Sequence, residues 1–210
     1  MTATMIEESF LTLDTKISKA AGERDIIARI STNAVDRDGD VLLPAGLDAK
    51  EFRENPVMLF GHDQNKLPIG TWTRLEKQSD AIIAHGTLAT RPPQHPMTEE
   101  WGPDTILHLI REGVIRAVSV GFMIGEHREP TTKDVSRYGD SVRRIVSKWR
   151  LVEVSIVPIP ANQDALIMAV GKAWSGGRSM LADLLNLPQK SRRRVDIPSR
   201  RRLNIASTAA

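Results

Sequence analysis

The sequence contains no cysteine, which excludes disulfides, thiolate-bound metal clusters and a thiol nucleophile. Aromatic residues make up only 4% of the chain, so an interior has to be assembled mainly from Val, Ile, Leu and Ala. No apolar run approaches the roughly 20 residues needed to span a bilayer. The first residues, Met1 to Glu8, carry neither the basic flank nor the apolar stretch of a secretory signal. A soluble intracellular protein with no membrane contact is expected. Zinc-type ligand spacing such as His-Glu-x-x-His is missing, and Gly176-Gly177 stands alone rather than in a phosphate-binding loop. The run Asp36-x-Asp38-x-Asp40 begins like a calcium loop. Val41 then takes the place of the turning glycine, and Leu47 that of the closing glutamate. No metal or cofactor is expected.

What is present is enough for one well-buried domain: 210 residues, 40% of them hydrophobic. The net charge of +3 conceals an asymmetry. From Lys190 onward seven basic residues face the single Asp196, a segment charge of +6, which leaves the rest of the chain at −3. The basicity belongs to a tail, alternating arginine triplets with Pro, Ser and Asn, that has nothing to bury. Residues 1–175 are expected to form the domain, and 176–210 a short helix near Met180–Leu187 followed by a disordered basic tail. Such a tail could contact nucleic acid through phosphates without sequence preference.

Within the body, Asp25–Thr32 has a strand pattern, and Asp36–Asp40 reads as a turn. Leu47–Glu54 suits a short helix stopped by Pro56. The segments starting at Ile69 and Ala81 flank Gln78-Ser79-Asp80 as a hairpin. A helix ending at Gly113 presents Ile106, Leu109 and Ile110 on one face. A strand around Ser119, a polar loop through Pro130-Thr-Thr-Lys-Asp and a strand over Trp149–Val157 follow. The segments sum to a β-rich α+β domain with one or two helices, a closed or nearly closed barrel.

Three residues stand out chemically. In Ala117-Val-Ser-Val-Gly-Phe122 alternation puts Val118, Val120 and Phe122 on one face and Ala117, Ser119 and Gly121 on the other. The small neighbours leave space above the Ser119 hydroxyl, as a nucleophile that must approach a carbonyl within about 3 Å requires. The spacing is close to the nucleophile elbow of α/β-hydrolases, but that elbow needs a helix after the serine, and Phe122-Met-Ile continues as strand. Of five histidines, His95 sits between loop prolines, His108 on the helix and His127 in a charged stretch. His62 follows Val57-Met-Leu-Phe-Gly, so its ring is anchored at a strand end; His85, mid-strand, is the other candidate for a base. Glu153 is one carboxylate inside an apolar strand, alternating with Ser155 against Val152, Val154 and Ile156. It is either a solvent-facing strand residue or the acceptor that orients His62.

In order along the chain, four segments resemble the prohead (capsid maturation) serine proteases of tailed bacteriophages. They are Asp36–Gly46, Asn55–Asp63, Ile115–Phe122 and Leu151–Asn162. The resemblance spans roughly residues 25–168 and implies an assemblin-like fold, an antiparallel β-barrel with surrounding helices, assemblins being the related herpesvirus proteases. It also implies His62 as general base and Ser119 as nucleophile. Glu153 stands where the family carries an acidic residue, and the orienting role is assigned to it. Assemblins use a second histidine there, which keeps His85 as an alternative third member. The implied activity is endopeptidase cleavage of phage scaffold and major capsid protein, and of the enzyme itself. The setting would be the immature shell in the host cytoplasm, with self-association an open partner question. The basic tail would tether the enzyme in the shell or be clipped during maturation. Backbone near Gly121, or Arg116 acting through water, is expected to stabilise the oxyanion. A non-catalytic assembly or scaffold protein of the same fold is the competing expectation.

Overall fold

A single long strand, Arg144–Val157 (β8), organises the sheet, and the structure, a computed structural model, describes residues 22–171 around it. Along one edge of β8 lie, in series, Asp40–Leu42 (β2), Leu47–Asp48 (β3) and Val57–Phe60 (β4), all parallel to it. Along the other edge runs Ala117–Arg128 (β7), antiparallel. From β4 the sheet continues through Gly70–Lys77 (β5), Ala81–Leu88 (β6), Asp25–Thr32 (β1) and Ile167–Val170 (β9), each pair antiparallel. A bridge from Ala117 to Leu166 brings β7 near the segment entering β9.

Two fold expectations need correction. The sheet is mixed rather than antiparallel, because β4 and β8 are separated by a long excursion that returns the chain in the same direction. The described strands also form no continuous closed ladder: the strand path runs from β2 to β9, and the entry to β9 meets β7 only through the isolated Ala117–Leu166 bridge.

The core is largely aliphatic, with Ile26, Ile30, Met58, Ile82, Leu88, Leu151 and Ile156 fully buried. Full burial of one such side chain contributes about 1.5–3 kcal/mol. Two tryptophans add polar anchors. Trp72 of β5 donates its indole N–H to the Val154 carbonyl at 3.0 Å, which pins β8 between Glu153 and Ser155. Trp149 likewise donates to the Leu43 carbonyl at 2.9 Å. Gly86 makes room for this packing, since a Cβ there would lie 2.7 Å from both Trp72 and Met58.

Helices are short. Lys50–Glu54 (α1) is only the second half of the expected Leu47–Glu54 helix, because Leu47 and Asp48 pair with Trp149 and Arg150 as strand. Gly102–Arg111 (α2) buries Pro103, Ile106, Leu107 and Ile110, with Gly113 beyond its end at φ +73°. The expected polar loop after Pro130 contains a helix, Thr132–Tyr138 (α3). A capping box nucleates it: the Thr131 hydroxyl accepts the Asp134 N–H, and Asp134 accepts the Thr131 N–H. The domain boundary at 175, the helix near 180 and the basic tail lie outside the described residues.

Candidate active site

The end of β4 explains where His62 goes. The last rung of the β4–β8 ladder is the Gly61 N–H on the Ile156 carbonyl, at 2.9 Å. Gly61 and His62 then both take positive φ, +67° and +60°, and the Asp63 N–H returns to the Phe60 carbonyl at 3.3 Å. Two successive left-handed residues reverse the chain as in a type I′ turn. For histidine this conformation costs roughly 1–2 kcal/mol, and it is the only non-glycine residue at positive φ among those described. The His62 N–H is held at 3.1 Å by the Ser155 hydroxyl of β8. The turn thereby folds the imidazole back over the face of β8.

On that face lies Glu153. Its Oε1 sits 2.5 Å from His62 Nδ1, and its Oε2 accepts the Ser155 hydroxyl at 2.6 Å. The glutamate side chain is 5% exposed while the histidine side chain is 44% exposed. A carboxylate only accepts, so the proton in this bond sits on Nδ1 and Nε2 is left as the basic nitrogen. The solvent-facing reading of Glu153 is thereby excluded. The β7–β8 register slips between Gly121–Glu153 and Phe122–Leu151, so Val152 is an extra, bulged residue and is the one turned to solvent. Bulges re-aim side chains in this way. Gly121 completes the seat, because a Cβ on it would lie 2.5 Å from Glu153 Oε1. The space that the small residue leaves is filled by the carboxylate.

Ser119 stands directly opposite Ser155 in the β7–β8 pair, so the two hydroxyls emerge on the same face. They are not equivalent. Ser155 is fully buried and its proton is committed to Glu153. Ser119 is 4% exposed, makes no side-chain hydrogen bond among the described residues, and borders an indentation lined by Ile30, Ser31, Asp40, Ala161 and Asn162. No hydrogen bond joins Ser119 to His62; contacts between nucleophile and base commonly tighten only with substrate in place. The structure therefore brings His62 and Glu153 into contact, with Ser119 one strand away across Ser155.

His85 is elsewhere, on β6. Its Nε2 lies 2.9 Å from Glu76 and 3.1 Å from Arg74 of β5, and it touches none of the three site residues. Burial, then the neighbouring Arg74 charge, lowers its pKa below the ordinary histidine value of 6.5, against the opposing pull of Glu76. The folded chain thus holds fewer protons at His85 than the unfolded chain does. Its contribution to stability is complete above pH 6.5 and is lost as pH falls through the lower folded value. Denaturant melts at pH 7.5 and 5.5 are expected to show a smaller acid-induced loss for His85→Gln than for the parent chain. Of the remaining histidines, His95 packs edge-on against Trp101, His108 lies on α2, and His127 is exposed near the distal end of β7.

The aspartate-rich turn is internally satisfied. Asp36 accepts the N–H groups of Asp38 and Asp40, and Asp40 is bound bidentately by Arg144 at 2.7 Å through both oxygens. Arg37 bonds the Pro160 carbonyl, and its N–H bonds that of Ala161, tying this turn to the loop after β8. Ser155 is the contributor that sequence reasoning passed over as a functional residue, and Gly121, expected near the oxyanion, is found seating Glu153. The signal for Ser155 was its place in the strand beside Glu153.

A carboxylate–imidazole pair with a free Nε2, beside an uncommitted serine, is suited to hydroxyl activation. Residues 18–176 match the family model described as caudovirus prohead serine protease. The chain belongs to that family. Among curated relatives, the prohead protease of Escherichia phage T5 is 27% identical over 139 residues, which is 64% of this chain and 57% of the T5 protein. The prohead protease family member described here thus spans under two thirds of that relative's length. Among solved structures, the KSHV protease in complex with a hexapeptide phosphonate inhibitor aligns over 69% of this chain and 64% of its own. That alignment has 11% identity and a TM-score of 0.34.

Proposed function

We propose that this protein is the maturation protease of a tailed-phage prohead, a serine endopeptidase acting on scaffold and major capsid protein, and on itself, inside the immature shell in the host cytoplasm. The observation that carries the reading is the His62 Nδ1–Glu153 Oε1 bond of 2.5 Å, built on the strand that pairs with Ser119, in a member of the prohead serine protease family. Ser119 is the nucleophile, His62 the general base through Nε2, and Glu153 the residue that fixes the tautomer and steadies the imidazolium.

The reaction is acyl transfer. Ser119 Oγ adds to the scissile carbonyl while His62 Nε2 takes its proton, giving a tetrahedral oxyanion. His62 then protonates the leaving amine, the C–N bond breaks and an acyl-serine remains. Water, deprotonated by the same nitrogen, attacks the ester and releases the new carboxyl terminus. Preorganised hydrogen-bond donors at the oxyanion contribute about 2.7–4 kcal/mol each in such reactions.

Co-expression with the capsid and scaffold proteins of the phage or prophage that encodes this chain tests the substrate. Intact-mass analysis is expected to find one or both shortened at discrete sites when the protease is present and full length when it is not. Full-length proteins in both cases would remove the substrate assignment.

A further inference from the structure

Ser155 sits where two requirements of the site meet. Glu153 has two carboxylate oxygens, of which Oε1 serves His62; without a partner, Oε2 would be a nearly buried anionic oxygen, an expensive arrangement. His62 sits in a left-handed conformation just past the last ladder rung, and its N–H needs an acceptor. A hydroxyl has one proton to give and two lone pairs. Ser155 gives its proton to Glu153 Oε2 at 2.6 Å and accepts the His62 N–H at 3.1 Å. A single oxygen thus links the backbone that carries the imidazole to the carboxylate that orients it.

We infer that Ser155 is the positioning residue of this site, setting the His62–Glu153 geometry from the side away from substrate. This rests on the Ser119–His62–Glu153 reading above. Ser155 is not a second nucleophile: it is fully buried, and its proton is committed to the carboxylate. The strand context favours a fixed position. β8 is held on one side by β4, where Leu59 pairs with Ser155, and on the other by β7, where Ser119 does. The Trp72 indole fastens the adjoining Val154 carbonyl. The oxygen therefore has little freedom to move, and a group held this firmly can define an angle for its partners.

The test uses the full chain and a peptide spanning a cleavage site mapped with the parent enzyme. Ser155→Ala is expected to lower kcat by about 10- to 100-fold, the scale of a roughly 1 Å misplacement, with KM within about twofold. Ser155→Thr, which keeps the hydroxyl, should recover most of the loss. In a Glu153→Gln background Ser155→Ala should cost little more, since its effect runs through that carboxylate. Proton NMR should show the His62 Nδ1–H resonance of the parent broadened or lost in Ser155→Ala. Ser155→Cys keeps the shape while weakening both bonds, and the same kcat-specific loss is expected of it should alanine prevent folding. Parent-like kcat in the folded variants, or losses that multiply in the Glu153→Gln background, would overturn the inference. Ser119→Ala and His62→Ala run alongside: if these still cleave, the catalytic reading itself fails, whereas if only Ser155→Ala stays active, the positioning role alone fails.

Discussion

Ser119→Ala is expected to lower peptide cleavage by about 10⁴-fold or more, the scale seen when a nucleophile is removed from a triad, while leaving the fold in place. The side chain is nearly buried and makes no hydrogen bond among the described residues, so deleting its oxygen strands no partner. Alanine also suits the strand as well as the neighbouring Ala117 does. The melting temperature should therefore stay within about 3 °C of the parent, as expected for a change well below 1 kcal/mol. Ser155 offers the internal control, since it lies opposite on the same face. A fluorophosphonate that labels active serines should modify Ser119, and digestion should recover the adduct on the peptide containing it. Undiminished cleavage by Ser119→Ala, or an adduct on Ser155, would refute the assignment of the nucleophile.

Glu153→Gln is expected to cost about 10³- to 10⁴-fold in kcat with the geometry largely retained. The amide has nearly the shape of the carboxylate, and its oxygen can keep the Ser155 hydroxyl. Its NH₂ group then faces His62 Nδ1 and needs an acceptor there. That stabilises the tautomer with the proton on Nε2, the nitrogen that has to receive one from serine. The negative charge that steadies the imidazolium is lost as well. Because the defect lies in proton transfer rather than in substrate contact, KM should move by less than about threefold. ¹⁵N NMR of the histidines reads the tautomer directly: Nδ1-protonated in the parent, Nε2-protonated in the variant. Parent-like turnover would reduce Glu153 to a buried structural carboxylate.

How much of this was legible beforehand depends on the range of the interaction concerned. The hairpin of β5 and β6 and the helix α2 announce themselves through local chemistry, alternation around a polar turn in one case and an apolar face ending at a glycine in the other. The candidate residues were legible too, because a hydroxyl, an imidazole and a carboxylate are each conspicuous in apolar, strand-like company. Helix α3 was missed although its capping residues, Thr131 and Asp134, are in plain order, since with only Val135 and Tyr138 to pack inward it reads as loop. Leu47 and Asp48 looked helical and became strand because the alternative offered pairing with Trp149 and Arg150, a choice made one hundred residues away in sequence. The expectation of an all-antiparallel sheet failed for the same reason: strand direction is decided by which distant segments pair.

By itself the sequence determined that thiol chemistry is excluded, that the interior is aliphatic, that the basic charge sits at one end, and that Ser119, His62 and Glu153 were the side chains worth following. These follow from composition and from side-chain direction along single segments. Tertiary structure alone decided that Glu153 is buried against His62 rather than solvated, because His62 and Ser155 close around its two oxygens and Gly121, from another strand, makes room for it. It alone distinguished Ser119 from Ser155, two serines in similar strands, by giving the proton of one to a carboxylate and leaving the other uncommitted. Hydrogen bonds and close approaches between strands depend on register. Register is fixed by pairing across the sheet, which no local stretch of sequence records.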